Sequence, residues 1–461
     1  MAPARPNLLF LMTDHQRAGS LGTSQAGIEV TPNLNRLARH AAVFSRAYNT
    51  CPLCVPTRTA LATGIAPTRN GVVCNDWKGA TAGDHTPLHQ CLAQAGYDVA
   101  HIGVDHIRLR PTLRERVPFT TWIGDAEHRQ FLERQGIADA LDRAPFRRAI
   151  TENQRGRRVP VLYSNTRTAV WPHPAECFKD SYWSSEAVRF LSEPRPRPFA
   201  LFLYLWAPHP PLIVPEPFAS RFPPDRLDLP ANVGQPAAGE PANRRSGIAA
   251  QLAEGIPIDQ WRRVWAAHLG LVHLADAGIG RVLDALDAAG HADHTITLFT
   301  VDHGDHLGQH AMYQKMEMYE PAIHIPLVVR TPGGHHQAWD APVSHLDVMP
   351  TLLELMGIDG PAGLDGLSLA QSIAGASAPP ERPVFCQYSG NPAVGDIRRA
   401  VVTRRHKYIY DPTDEPELYD LQADPLEMHN LARDPSMQPT LDDLHALAAD
   451  WAARHGDWVE F

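Results

Sequence analysis

One continuous apolar run, Phe199 to Trp206, limits the fold of this chain more than any other stretch of its sequence. A strand that lacks polar alternation has no face for water, so it belongs in a sheet that is covered on both sides. The run is far shorter than the ~20 apolar residues that a membrane-spanning helix needs. The sequence therefore predicts a strand buried inside an α/β protein.

Strand and helix patterns alternate around this run. Further strands are predicted at Asn7–Met12, Tyr97–Ile102, Thr295–Val301 and Ile325–Arg330. Three helices are predicted. The first begins at Pro32, and the Thr31 hydroxyl is expected to cap it; the others cover Ile258–Ala289 and Val348–Met356. This alternation predicts a large, mostly parallel β-sheet sandwiched by helices.

The pattern changes near the C-terminus. Short strands are predicted in close succession at Val384–Tyr388, Arg399–Thr403 and Lys407–Tyr410, and a helix at about Leu441–Arg454. Close spacing is typical of an antiparallel meander. Because 461 residues exceed what one core usually holds, we expect a catalytic α/β domain over residues 1–378 and a C-terminal α+β subdomain over 379–461.

Two segments carry weaker signals. Residues 107–197 show little periodicity, which fits either a substrate rim or a solvated excursion, and residues 215–245 are predicted to form a surface loop. Tryptophans in loops can stack on a substrate ring, although packing is their commoner role. The candidates for such a rim are Trp77, Trp122, Trp171 and Trp183.

Charge and cysteine content exclude several classes of protein. A net charge of -9 argues against a nucleic-acid-binding protein, and the apolar part of the first strand is too short for a signal peptide or a membrane anchor. The six cysteines show no compact zinc spacing, so free thiols in a reducing cytoplasm are expected. A homo-oligomer remains open.

Polar residues gather where the predicted strands end. Asp14 follows the first strand and Asp302-His303 follows the strand at Thr295–Val301. Ligands in open α/β sheets bind at the carboxyl ends of strands, and carboxylates there suit a hard divalent cation. The stretch from Cys51 to Gly64 adds a Cys54-x-Pro-x-Arg58 motif, with Arg58 one helical turn after Cys54.

Taken together, these motifs resemble the sulfatase family of the alkaline-phosphatase superfamily, near its arylsulfatase, choline-sulfatase and phosphonate monoester hydrolase branches. The resemblance runs from about Asn7 to Leu431 and includes the late string Glu417 to Leu421. It implies an alkaline-phosphatase-like fold. It also implies that a formylglycine-generating enzyme oxidises Cys54 to formylglycine, whose hydrate attacks the sulfate ester of a small molecule.

The resemblance also assigns roles to individual residues. One divalent cation, Ca²⁺ or Mn²⁺, would be held by Asp14, His15, modified Cys54, Asp302 and His303. Arg58 would hold the nucleophile, and His106 would accept its second proton. His209 and Lys315 would contact the sulfate and assist the leaving oxygen, and Asn75 would touch the substrate.

One position departs from the family pattern. Val104 stands where many sulfatases carry a lysine beside the sulfate, and Arg108 or Arg110 are candidate replacements for that charge. The alternative function is therefore a phosphonate monoester hydrolase or phosphodiesterase with the same nucleophile. A two-zinc phosphatase is disfavoured by the Cys54 motif, and a binding protein on an inactive sulfatase scaffold by the retained polar residues.

Overall fold

A computed structural model of the protein describes residues 5–137 and 142–461. Strands and helices alternate through most of it, which confirms the predicted α/β fold. The strands are β1 (Asn7–Thr13), β2 (Ser24–Gln25), β3 (Ile28–Glu29), β4 (Ala42–Tyr48), β5 (Asp98–Gly103), β6 (Thr121–Ile123), β7 (Arg147–Gln154), β8 (Arg157–Ser164), β9 (Thr168–Trp171), β10 (Phe199–Tyr204), β11 (Leu212–Pro215), β12 (Thr295–Val301), β13 (His324–Arg330), β14 (Gln337–Trp339), β15 (Val343–Ser344), β16 (Val384–Tyr388), β17 (Arg398–Val402), β18 (His406–Tyr410) and β19 (Glu417–Asp420).

Fourteen α-helices lie between these strands in the described ranges. They are α1 (Pro32–Ala38), α2 (Cys54–Thr63), α3 (Pro67–Asn70), α4 (Leu88–Gln94), α5 (Leu113–Arg116), α6 (Asp125–Arg134), α7 (Lys179–Ser192), α8 (Ala242–Ser246), α9 (Ile248–Ala253), α10 (Ile258–Ala288), α11 (Glu320–Ile323), α12 (Val348–Leu355), α13 (Ala370–Ile373) and α14 (Gln438–Arg454). Within residues 5–137 and 142–461, no helix is both long and apolar enough to span a membrane.

A nine-stranded sheet forms the centre of the molecule, in the order β14-β4-β13-β12-β1-β10-β5-β6, with β15 also beside β4. Strands β12, β1, β10, β5 and β6 are parallel, and every residue of β5, β10 and β12 is buried. Helices α1 and α7 pack against α10, while α2 contacts α4 and α12. Helices on the sheet explain why its central strands can be apolar throughout.

The strand predicted at Ile325–Arg330 runs differently from a simple continuation of the parallel sheet. It exists as β13, but it pairs antiparallel with both β12 and β4. Residues 302–323, which connect β12 to β13, contain only the single turn α11. This connection has no helix that carries the chain back to the end of the sheet where β12 begins. Without such a crossover, the next strand must run back antiparallel.

A four-stranded antiparallel meander, β16-β17-β18-β19, follows near the C-terminus as the strand spacing predicts. Helix α14 packs on β17 and β18. The boundary near residue 378 stays a prediction, although β16 begins soon after it.

The weakly patterned segments hold more structure than their sequences suggest. Residues 107–197 include the β7–β8 hairpin and α7, whose Trp183 is fully buried and therefore does not reach a rim. Trp122 stacks on the buried His101 ring, with the ring centroids 4.6 Å apart, while Trp77 is 53% exposed. The predicted surface loop at 215–245 is wrong in its last part, because α8 begins at Ala242 and buries Arg244 completely.

Candidate active site

Two neighbouring strands deliver the first four polar residues of the site. Strands β1 and β12 are parallel and in register, with Thr13 opposite Val301. Asp14 and His15 follow one strand, and Asp302 and His303 follow the other, so all four meet at one edge of the sheet. Each of these side chains is fully buried.

Cys54 is the first residue of the buried helix α2, which ends at Thr63 and is followed by Gly64 as its C-cap. Gly64 adopts a left-handed φ of 67°, and a Cβ atom there would approach Leu364 Cδ2 to 2.8 Å. At the other end of the helix, Leu53 offers no side-chain cap, and Asn75 Oδ1 instead accepts from the Val55 N–H at 3.0 Å. The Asn75 amide also donates to Asn391 Oδ1 at 2.7 Å. Asn75 therefore fixes the helix turn that carries Cys54.

Arg58 joins the two carboxylates. Its Nε donates to Asp302 Oδ2 at 3.0 Å, and its Nη2 donates to Asp14 Oδ2 at 2.9 Å. Its Nη1 is buried and has no partner in the part of the chain that the structure describes. The predicted contact of Arg58 with the nucleophile stays a prediction. Because Nη1 makes no other hydrogen bond among the described residues, it is the atom that could make this contact. The guanidinium also holds the carboxylates in place.

Four side chains offer a set of donor atoms for a metal ion. The ligand atoms of Asp14, His15, Cys54 and His303 lie within 4.8 Å of one another. Asp302, the fifth predicted ligand, lies beside this group, with its Oδ2 at 3.5 Å from His303 Nε2. Its Oδ1 accepts from the backbone N–H groups of His15 and His303.

The hydrogen bonds of the two imidazoles fix their tautomers. His15 Nδ1 lies 2.9 Å from Asp305 Oδ2, and His303 Nδ1 lies 3.1 Å from the Gly304 carbonyl oxygen. Because each partner accepts, each Nδ1 carries the proton and each Nε2 presents a lone pair, which is how histidine binds metals. Asp305 had no role in the sequence analysis, and its place in the Asp-His-Gly-Asp string was the only signal for it.

A positive charge occupies the point on which these donors converge. Lys315 Nζ lies 2.8 Å from Cys54 Sγ, 2.8 Å from His15 Nε2 and 3.0 Å from His303 Nε2. The donor set therefore already accommodates a cation, and its chemistry suits a divalent metal. The predicted metal and sulfate residues thus meet in one cluster.

Burial controls the ionisation of this cluster. Burial, and then the neighbouring Asp302, raise the pKa of Asp14 to about 8. Burial would also raise the pKa of Asp302, but His303, which is protonated in the acid range where Asp302 titrates, and the charges of Arg58 and Lys315 outweigh it and hold that pKa below its usual value. Burial lowers the pKa of His303 to about 3, so its imidazole is neutral and free to bind a metal.

Of the two remaining predicted histidines, His209 contacts the cluster, and His106 lies further out, beside the Trp206 ring that stacks on His209. The His209 ring is 4.4 Å from the His15 ring and stacks on Trp206 at 3.9 Å, both measured between centroids. His106 packs against Trp77, with 4.9 Å between the ring centroids. Burial lowers the pKa of both imidazoles well below the usual value, so both are uncharged at neutral pH.

The residues around the missing lysine differ in their surroundings. Val104 is buried, Arg110 is exposed, and Arg108 directs its guanidinium to the Gly79 carbonyl oxygen at 3.3 Å. Whether either arginine replaces the lysine charge stays a prediction. The cation observed at the donor cluster is Lys315.

Comparison with known proteins shows which family the chain belongs to. The Sulfatase family matches residues 6–358, and the "N-sulphoglucosamine sulphohydrolase, C-terminal" family matches residues 308–452. The chain belongs to the sulfatase family. As a sulfatase, it is a sulfuric ester hydrolase.

Individual relatives match nearly the whole sulfatase chain. A choline-sulfatase of Rhizobium meliloti (strain 1021) is 27% identical, over 100% of this chain and 89% of its own length. An arylsulfatase of Clostridium perfringens (strain 13 / Type A) is 25% identical, over 96% of this chain and 93% of its own. Among solved structures, the phosphonate monoester hydrolase of Agrobacterium radiobacter superposes with a TM-score of 0.80 at 23% identity, covering 98% and 96% of the two chains, which shows a shared fold.

Proposed function

We propose that this sulfatase hydrolyses the sulfate ester of a small molecule with a formylglycine made from Cys54 and one divalent cation, Ca²⁺ or Mn²⁺. The observation that carries the proposal is the meeting of Cys54 with two metal-ready imidazoles and a buried carboxylate at one sheet edge. Asp14, His15, Cys54 and His303 would hold the cation, with Asp302 beside them. The metal supplies positive charge to the sulfate oxygens.

The surroundings of Cys54 argue against an ordinary thiolate nucleophile. Burial, and then the nearby Asp14, raise the pKa of the Cys54 thiol to about 12, so the thiol is protonated at neutral pH. The hydrate of a formylglycine supplies two hydroxyl groups on one carbon, one to take the sulfuryl group and one to release it as sulfate. This need for a modified residue makes a formylglycine-generating enzyme the partner that the proposal requires.

Side chains of this chain supply the proton transfers. His106, whose half-buried imidazole is neutral, would accept the proton whose loss restores the aldehyde. Lys315 offers a proton and a charge at the donor cluster, and His209 presents Nε2, since its Nδ1 donates to the Pro210 carbonyl oxygen. Lys315 would bind the sulfate and protonate the leaving oxygen, and His209 would assist once its Nε2 has taken up a proton. Asn75 would contact the substrate beside Cys54.

A phosphonate monoester hydrolase or phosphodiesterase with the same nucleophile is the second candidate. It is motivated by the buried Val104, which removes a positive charge from the place where many sulfatases contact sulfate. A phosphonate monoester or a phosphodiester has two non-bridging oxygens where a sulfate ester has three, so it needs one oxygen contact fewer.

A comparison of substrates tests the proposal. Metal-loaded protein, produced together with a formylglycine-generating enzyme, is assayed side by side on an aryl sulfate, a phosphonate monoester and a phosphodiester. We expect the highest kcat/KM for the sulfate, and we expect mass spectrometry to find an aldehyde at Cys54. Cys54→Ala, which removes the nucleophile but little volume, should lose nearly all turnover. Full activity with an unmodified thiol, or a preference for the phosphonate, would contradict the proposal.

A further inference from the structure

A cavity of about 260 Å³ opens beside His209. Helices α6 and α7 and the ends of β9 and β10 contribute to its lining. The apolar part of the wall includes Leu132, Trp171, Phe178, Ile213 and Leu271. Its volume lies near the lower end for ligand pockets, which start at roughly 300 Å³, so it suits a single ring rather than a chain of rings.

The charged part of the wall is mostly positive. Arg129, Arg143 and Lys179 line the cavity, and Asp125 is the only carboxylate among the described lining residues. Lys179 Nζ lies 2.9 Å from Asp125 Oδ1, so these two charges compensate each other. The structure records no ion pair between Arg129 and any residue in 5–137 or 142–461. Arg143 already has an interaction partner, so the positive charge that the wall offers to a ligand is that of Arg129, whose side chain is exposed.

The cavity adjoins the reaction site through one side chain. His209 lines it, and the His209 ring is 4.4 Å from the metal-ready His15 ring. An ester whose sulfate group sits at the donor cluster would therefore place its alcohol part on the far side of His209. Trp206, also in the wall, is stacked on His209 and has Lys179 Nζ at 4.7 Å from its centroid. That indole is thus already paired with a cation of the protein.

We propose that the alcohol part of the substrate is a single ring that carries its own anionic substituent, such as a carboxylate. The ring would pack on Trp171 and Phe178, and the anion would pair with Arg129, whose planar guanidinium matches a carboxylate. This inference rests on the proposed sulfatase reaction of the same site. It separates this chain from an enzyme for cationic alcohols, because like charges in a partly buried pocket repel.

Two isosteric substrates test the assignment. We would measure kcat/KM for 4-carboxyphenyl sulfate and for 4-carbamoylphenyl sulfate, which differ in charge but hardly in shape. The acid should be preferred about fivefold, the upper range for an ion pair with an exposed arginine. Arg129→Gln should reduce the preference to about twofold or less, and Lys179→Gln should weaken it as well. Arg134→Gln, on the same helix α6 but outside the cavity, is the matched control and should keep it.

A binding measurement separates this inference from the proposed reaction. Isothermal titration of the full chain with 4-hydroxybenzoate and 4-hydroxybenzamide reads the pocket without any turnover. Tighter binding of the acid that depends on Arg129 supports the pocket even if no sulfate ester is hydrolysed, a result that would refute the proposed function alone. Equal binding of the two phenols, equal hydrolysis of the two esters, or a preference for a trimethylammonium-bearing aryl sulfate would overturn the inference.

Discussion

At the scale of single residues, Arg58 shows what the sequence could and could not predict. Its type and its distance from Cys54 indicated a cation beside the nucleophile. The side chain in fact spans Asp14 and Asp302, because α2 points it towards the ends of β1 and β12. That direction depends on how a helix sits on a sheet, which no local pattern records. Asp14 and Asp302 were predictable as candidate ligands because each follows a strand end, whereas His15, Cys54 and His303 were proposed from the family resemblance.

Replacing Arg58 by Met should destabilise the metal-free protein strongly. Two fully buried carboxylates would lose their shared cation, a change that typically costs ~3–5 kcal/mol. A divalent cation would take over part of that charge, so Ca²⁺ or Mn²⁺ should raise the unfolding midpoint of Arg58→Met more than that of the unmodified chain. Thermal unfolding with and without metal measures this.

The control for that experiment is Arg36→Met, which breaks an exposed ion pair with Asp284. Surface pairs contribute little, so its midpoint should shift only slightly and its metal response should match that of the unmodified chain. If Arg58→Met were no more sensitive to metal than Arg36→Met, the assignment of the metal to this cluster would be wrong.

At the scale of elements, side chains from distant parts of the chain hold the start of α2. Asn75 caps Val55, Asn391 binds Asn75 through both backbone and side chain, and the Asn391 amide donates to the Tyr163 hydroxyl at 2.7 Å. Similarly, Asp276 in α10 accepts from the backbone N–H groups at the start of α1, while the Thr31 hydroxyl donates to the Ser20 carbonyl oxygen and does not cap that helix. Helix positions were predictable from periodicity, but partners brought in by tertiary folding were not.

Asn391→Ala should lower kcat with little change in stability, because it frees Asn75 and so loosens the turn that carries Cys54. A double-mutant cycle with Asn75→Ala should show coupling of ~1 kcal/mol in kcat/KM, since the two amides act through one contact. Tyr163→Phe, which removes only the outer acceptor, should have a smaller effect. Asn165→Ala serves as the control, since its amide donates only to nearby hairpin carbonyl groups. Additive effects of Asn75→Ala and Asn391→Ala would show that the chain of hydrogen bonds does not position the helix.

At the scale of the whole molecule, buried ion pairs join the C-terminal sheet to the central unit. Lys407 on β18 lies 2.7 Å from Glu320 on α11 and 2.7 Å from Glu427. Arg244 on α8 likewise binds Asp411, which follows β18, and Glu417 on β19. Strand spacing predicted the two sheets, but it gave no sign of these contacts, because an isolated Lys or Glu in a sequence is usually a surface residue.

Lys407→Met should therefore destabilise the fold in a manner that depends on pH. Burial, with Lys407 opposing it, already raises the pKa of Glu427 to about 7, whereas Lys407 holds the pKa of Glu320 below its usual value against the effect of burial. Without the ammonium, both folded-state pKa values rise above that of an unfolded glutamate, about 4.3. The folded variant then binds more protons than its unfolded chain, so its stability falls as pH rises through and above that value.

The loss relative to the unmodified protein should be ~3–5 kcal/mol at pH 8 and clearly smaller at pH 5. Urea unfolding at the two pH values measures it, with Arg433→Met, which breaks an exposed pair with Glu415, as the control. If the destabilisation were the same at pH 5 and pH 8, its cause would be the lost packing of the lysine stem and not the lost charge.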